Sequence, residues 1–324
     1  MMLKLTGCAA LLAAAATLMF AFSDDTFQGN VVKRPFDPAI HGQSPTKTSS
    51  TQILYHGGPV MNQANSVYVI YYGNFPATTE PIINTFMAGL SGTGPYTVNS
   101  SYSDATAKSP TPISTTYYFQ TPAGTGAATG RDGSVIGDNY SQGTQLSSGD
   151  ILKIVTHAIG ATKLPADQNA VYLVLTAPDV KVSGFCTSFC AYHNTSKTIV
   201  SGTQIRYALI PYPTQKCTGC NGNIAVYGDT VTPNGDMGAD TMTDDIMHEL
   251  SETVTDPDIS AWYTQNGAEN GDLCNYVYET TSSPIKTKTD VNGATTHYNV
   301  TLGGKDFLVQ LIWKNSGTGF CAVN

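Results

Sequence analysis

The chain has 324 residues, 41% of them hydrophobic and only 12% charged, with a formal net charge of −8. That length and apolar content support a sizeable core and exclude wholesale disorder, while the acidic balance argues against a nucleic-acid or anionic-membrane surface. The usage is rich in Thr, Ser, Gly, Asn and Tyr, as expected of an exported protein with β structure.

Lys4 precedes the apolar run from Cys8 to Ala21, which is too short for a comfortable membrane span and reads as a signal peptide over 1–23, cleaved between Ala21 and Asp24. Its removal leaves no stable membrane insertion. Residues 24–50 are polar, contain proline and lack periodicity, so they read as a flexible leader to a single domain over 51–324. Ile53 to His56 and Ser66 to Tyr72 are β-rich runs separated by Gly57-Gly58-Pro59. Pro81 opens a short helix with Ile82, Ile83, Phe86, Met87 and Leu90 at helical spacing. A Gly-, Ser- and Thr-rich stretch follows to about residue 145, with a strand expected over 115–120. Ser148 to Ile159 is a second amphipathic helix, with Asp150 near its first turn. Val171 to Thr176 and Ile205 to Ile210 are buried strands, Asp240 to about Thr255 is a third helix, and strands near Tyr298 to Leu302 and Phe307 to Trp313 close the chain. This order implies a mixed α/β (α+β) domain with a zincin-like helix laid across a mixed sheet.

Seven cysteines are present, and six remain without Cys8: Cys186, Cys190, Cys217, Cys220, Cys274 and Cys321. An even set in an exported chain implies three disulfides, for which the expected pairs are Cys186 with Cys190, Cys217 with Cys220, and Cys274 with Cys321. The alternative is a zinc site built from Cys186, Cys190, His193, Cys217 and Cys220. Asn99, Asn139, Asn194 and Asn299 begin glycosylation sequons, which would place them on the surface.

The third helix carries Met247-His248-Glu249-Leu250-Ser251-Glu252, followed by Thr255-Asp256-Pro257-Asp258. His248 and Glu252 stand at i and i+4, so both side chains leave one face and converge on a single cation. Glu249 occupies the place of the glutamate that, in H-E-x-x-H zinc hydrolases, takes a proton from metal-bound water. Here the second histidine is replaced by glutamate, which keeps zinc acceptable and admits Ca²⁺, Mg²⁺ or Mn²⁺. Asp256 would lie about 12 Å from His248 along an unbroken helix, but Pro257 ends that helix and lets Asp256 turn back. Glu269, in Glu269-Asn270-Gly271-Asp272-Leu273-Cys274, ranks level with it as third ligand, and Asp272 comes from the same loop. Tyr263 is a candidate donor to an oxyanion. The competing reading is a solvated helix with a packed histidine.

Tyr55-His56-Gly57-Gly58-Pro59-Val60, the strand ending Tyr71-Tyr72-Gly73, Val174 to Val180, Phe185-Cys186 through His193, and Pro233-Asn234-Gly235-Asp236-Met237-Gly238 occur in this order. Together they resemble the EXORDIUM family, also called the phosphate-induced protein 1 family, from about Ile53 to Cys321. The resemblance implies a secreted protein of the apoplast or cell wall linked to growth, and brings no established chemistry. The plant pattern in the window of Met247 to Asp258 lacks the His-Glu pair and reads Thr-Val-Thr-Asn-Pro near its end. This chain is similar there to microbial relatives with an acidic window that resembles zinc peptidases. His56 and His193, inside these strings, are further candidates for metal or substrate, against a local hydrogen bond in a turn.

Three functions follow as expectations. The first is a secreted metal-dependent hydrolase of peptidase type acting on an extracellular peptide or cell-wall polymer. In it His248, Glu252 and Asp256 or Glu269 hold Zn²⁺ and Glu249 is the general base. The second is a non-catalytic wall-associated protein with a structural metal, Ca²⁺ included. The third is a binding protein that uses its tyrosines and no metal. A serine hydrolase built on Ser251 is disfavoured because no nucleophile elbow surrounds it.

Overall fold

In the computed structural model the described residues are 52–104, 137–160, 164–196, 198, 200–214 and 216–324, with backbone alone at 32–33, 111–112, 117–118, 122–123, 127–128 and 135–136. The expected signal peptide and, apart from 32–33, the leader lie outside them.

Three central strands, β2 (Asn65–Tyr72), β5 (Ala170–Thr176) and β7 (Arg206–Pro211), are buried at every position. They pair in parallel, β2 with β5 and β5 with β7. Continuous apolar strands are what a parallel sheet requires, because both of its faces must be covered. The sheet runs from β1 (Val32–Lys33) through β6 (Tyr192–Thr195), β7 and β5 to β2, with β1 and β6 antiparallel to their neighbours. Along the outer edge of β2 lie β3 (Tyr117–Tyr118) and β4 (Val135–Asp138), both parallel to it. Of the strand expected over 115–120, only β3 falls within the described backbone.

The side-chain alternation of the strands sends successive residues to opposite layers. Val67, Val69, Tyr71, Val171, Leu173, Leu175, Ala208 and Ile210 meet Phe86 and Leu90 of α1 (Thr79–Leu90) and Met242, Ile246 and Leu250 of α4 (Met237–Thr255). Tyr68, Ile70, Tyr72, Tyr172, Val174, Tyr207 and Leu209 meet Ile151, Ile154 and Val155 of α2 (Ser148–Gly160) on the other face. The domain is thus a three-layer mixed α/β structure with α4 across the sheet. No helix among the described residues is long and apolar enough to cross a membrane.

The start of α4 is fixed by Asp236, whose Oδ1 accepts from the Ala239 N–H at 3.0 Å and from the Tyr212 hydroxyl at 2.7 Å. Its Oδ2 accepts from Thr78 and Thr79 at 2.6 and 2.8 Å, which ties α1 to α4. Burial pushes this carboxyl upward, but the bonds from Thr78, Ala239, Tyr212 and Thr79 outweigh it and hold Asp236 below the usual carboxylate value. Such a depressed group stabilises the fold above its unfolded pKa, and that stability is lost as pH falls through the folded value. Asp236→Ala is expected to cost about 1–3 kcal/mol at pH 7. The gap from wild type should begin to narrow below roughly pH 4, so urea midpoints should differ less at pH 3 than at pH 7.

The disulfides correct one expectation. Cys274 pairs with Cys321 as anticipated, but the other pairs are Cys186 with Cys217 and Cys190 with Cys220. Cα separations of 5.6 and 5.5 Å across two facing segments suit a bridge without backbone distortion, so the bonds staple the loop before β6 to the turn before α3 (Gly222–Tyr227). With these sulfurs bonded to one another, the cysteine zinc site is also overturned. The sequons need a second correction: Asn99 and Asn194 are buried, Asn299 is half-buried and donates to the Tyr278 and Val309 carbonyls, and Asn139 is exposed.

Candidate metal centre

On α4, His248 and Glu252 stand one turn apart with Nε2 and Oε1 3.0 Å from each other. The imidazole is oriented from behind. Its Nδ1 lies 3.0 Å from Gln310 Oε1, and the Gln310 amide is fixed because its Nε2 donates to the Gly271 carbonyl at 2.8 Å. The Gln310 backbone N–H donates to Asp244 Oδ1 at 2.6 Å, and Asp244 Oδ2 accepts from the Tyr278 hydroxyl at 2.7 Å. Since Gln310 Oε1 can only accept, Nδ1 is the donor to it, which leaves Nε2 facing the carboxylates, where a cation that displaced the second ring proton would meet a lone pair. This is the outer-shell arrangement that prepares a histidine to ligate.

The loop after α4, together with β6, completes the cluster. Glu269 Oε2 is 2.9 Å from His193 Nε2 on β6, which also lies 3.6 Å from Glu252 Oε2. Asp272 Oδ1 is 3.7 Å from His248 Nε2, and the Asp272 N–H donates to Glu252 Oε1 at 3.0 Å. Close approach of this loop requires glycine: a Cβ on Gly271 would fall 2.8 Å from Glu252 Oε1 and 3.0 Å from His248 Nδ1.

His193, His248, Glu249, Glu252 and Glu269 are all at 0% exposure. Yet His193 Nδ1, His248 Nε2, both oxygens of Glu249, Glu252 Oε2 and Glu269 Oε1 have no hydrogen-bond partner; the His248–Glu252 approach has ion-pair distance without hydrogen-bond geometry. Burying carboxylates in this state is costly unless a cation compensates them. The electrostatics carry the same imbalance. Burial lowers His248, but Glu252, Glu249 and Asp272 outweigh it and raise the group to about 10. Burial drives His193 down to about 4 despite Glu252. Burial raises Glu249 far above a normal glutamate, with His248 opposing and Glu252 adding to the rise. Glu269 rises for the same first cause, reinforced by Glu252 and Asp256. Glu252 runs the other way: burial would raise it, but His248 and His193 hold it low.

Within this cluster two sets of ligand atoms lie mutually within 4.8 Å: His193, Glu252 and Glu269, and His248, Glu249 and Glu252. Asp256 stands outside both. It caps α4, with Oδ1 accepting from the Ser260 and Ala261 N–H groups at 2.5 and 2.6 Å, and burial raises it to about 6 against those bonds. Tyr263 is stacked on His56, ring centroids 3.7 Å apart, and the His56 ring bonds the Tyr263 carbonyl rather than a neighbour in its own turn. Gln310, Asp244 and Tyr278 were not anticipated. The one available signal was Gln310 itself, an amide inside the apolar run Phe307 to Trp313.

The profile of the phosphate-induced protein 1 conserved region matches residues 53–323. Protein EXORDIUM-like 5 of Arabidopsis thaliana is 30% identical over 287 residues, covering 81% of this chain and 75% of that protein. Protein EXORDIUM-like 3 of the same plant is 28% identical over 317 residues, covering 87% and 89%. Protein PHOSPHATE-INDUCED 1 of Nicotiana tabacum is 28% identical over 222 residues, covering 65% and 67%. No solved structure matches. With nearly every described element inside the matched span, the chain belongs to the phosphate-induced protein 1 (EXORDIUM) family.

Proposed function

We propose that this chain is a secreted metal-dependent hydrolase that holds zinc through His248, Glu252 and the 269–272 loop and acts on extracellular peptides or the peptide parts of a wall polymer. The observation that carries the reading is His248: its Nδ1 is spent on Gln310 and its Nε2 is aimed, without a hydrogen bond, into buried carboxylates. A mixed imidazole and carboxylate set suits zinc, which when bound would acidify a water and polarise a carbonyl. Glu249 is suited to take a proton, because both of its oxygens are unengaged and it sits beside His248. Asp272, whose side chain is 11% exposed, marks the side from which substrate would arrive. Gln310 would keep the imidazole in the ligating tautomer throughout.

Full burial of His248, Glu249 and Glu252 favours a second reading, a closed structural ion in a non-catalytic wall-associated protein, since structural sites are the closed ones. Three disulfides favour an oxidising, extracellular setting under either reading. Metal content by plasma mass spectrometry is expected to show bound zinc in the wild type and a marked loss in His248→Ala and Glu252→Ala. Glu249→Gln should then keep metal and lose peptide cleavage. Retained metal with no cleavage by the wild type on a peptide library would favour the structural ion, and no metal on titration would sink both.

A further inference from the structure

The ligand atoms are not gathered around one point. The carboxylate of Glu252 is shared between two histidines: Oε1 is 3.0 Å from His248 Nε2 and Oε2 is 3.6 Å from His193 Nε2. The two sets of mutually close ligand atoms, His193, Glu252 and Glu269 on one side and His248, Glu249 and Glu252 on the other, overlap at Glu252 alone, and Asp272 belongs to neither. Each imidazole nitrogen also has its own second carboxylate from one short loop, Asp272 Oδ1 at 3.7 Å from His248 and Glu269 Oε2 at 2.9 Å from His193. A hydrogen bond from the Glu269 N–H to Asp272 Oδ2, 3.1 Å, spaces those two carboxylates. We propose that the cluster holds two divalent cations bridged by Glu252, one with His248 and Asp272 and the other with His193 and Glu269. This rests on the reading of the cluster as a metal site, and adds a second ion to it.

Charge supports the pair. Glu249, Glu252, Glu269 and Asp272 bring four carboxylates together, three of them at 0% exposure, and two divalent ions match them where one leaves an excess of buried negative charge. The unengaged atoms divide in the same way, with His248 Nε2 and the Glu249 oxygens on one side of Glu252 and Glu269 Oε1 on the other. A carboxylate bridging through both oxygens sets ions roughly 3.5–4 Å apart, the spacing of paired-metal hydrolases. One imidazole and otherwise oxygen at each position suits Zn²⁺ or Mn²⁺.

The test is metal stoichiometry on the purified full chain after reloading with Zn²⁺, joined to electron paramagnetic resonance of the Mn²⁺-loaded protein. The expected result is two ions per wild-type chain, one in His193→Ala, one in His248→Ala, fewer than one in Glu252→Ala, and an exchange-coupled Mn²⁺ signal. One ion in the wild type, kept in His193→Ala and lost in His248→Ala, would overturn the second ion and leave the single-metal hydrolase standing. Two ions with uncoupled Mn²⁺ spectra would overturn the bridge. No bound ion would remove both readings at once. The wild-type spectrum needs no variant, so the proposal stays testable if His193→Ala fails to fold, and His193→Gln offers a milder replacement.

Discussion

Stripping divalent metal with EDTA is expected to lower the melting temperature by about 10 °C. The reasoning is linkage: a ligand present at a thousand times its dissociation constant stabilises the folded state by about 4 kcal/mol. For a domain of this size each kcal/mol moves the midpoint by roughly 2–4 °C. The metal-free state would keep Glu249, Glu252 and Glu269 buried with unengaged oxygens, so it should be poorly compensated. A sign reversal makes the prediction sharper. Glu249 has no hydrogen bonds to lose, so Glu249→Gln removes the cost of burying an ionisable carboxyl, whether met by drying its charge or by taking up a proton, and should melt above wild type in EDTA. Calorimetry at pH 8 with and without EDTA would check both parts. An unchanged wild-type midpoint, together with a variant that melts lower in EDTA, would show a cluster that balances its own charge.

The second large effect lies at a residue outside the cluster. A Cβ at Gly222, the first residue of α3, would fall 2.0 Å from the Tyr278 hydroxyl oxygen and 2.4 Å from its ring Cζ. Tyr278 donates to Asp244, Asp244 receives the Gln310 N–H, and Gln310 orients His248. Gly222→Ala must displace a buried ring, which costs about 1–3 kcal/mol. It should also weaken zinc binding by roughly 10-fold, the low end of outer-shell losses. Tyr278→Phe is the control, because it keeps the ring and removes the hydroxyl that donates to Asp244. A competition titration with a zinc-binding dye should show weaker binding in both variants, and urea midpoints should show a large stability loss in Gly222→Ala alone. Unchanged zinc affinity in Tyr278→Phe would show that the chain from Tyr278 to His248 does not position the ring.

The long periodic elements were legible in the sequence. α2 and the three parallel strands fall within one or two residues of their expected limits, because continuous Val, Ile, Leu and Tyr runs leave little choice of state. Helix α1 begins at Thr79, two residues before Pro81, and α4 begins at Met237, since the Asp236 cap lies four residues before the expected start at Asp240. Strand order was not legible, because pairing depends on contacts remote in sequence. The site was half legible. The i, i+4 spacing gave His248 and Glu252, and the acidic loop gave Glu269. His193 was a candidate from the family-like strings, but its place beside Glu252 depends on β6 lying next to β7 and facing the end of α4. The local reading of the cysteines failed for the same reason, since nearness along the chain says little about which segments face each other.

Residues 193, 248, 252, 269 and 310 come from four segments of the chain, and apart from the turn between His248 and Glu252 every contact among them joins parts of the chain distant in sequence. Chain-closure entropy must be met before such contacts return anything, which places their formation late in folding. Until then the carboxylates remain hydrated, and the cost of drying them falls on the final step. An ion that binds only the finished cluster would therefore slow unfolding far more than it speeds folding. On that reading the lifetime of the native state, rather than the rate of reaching it, would be the property most exposed to metal supply.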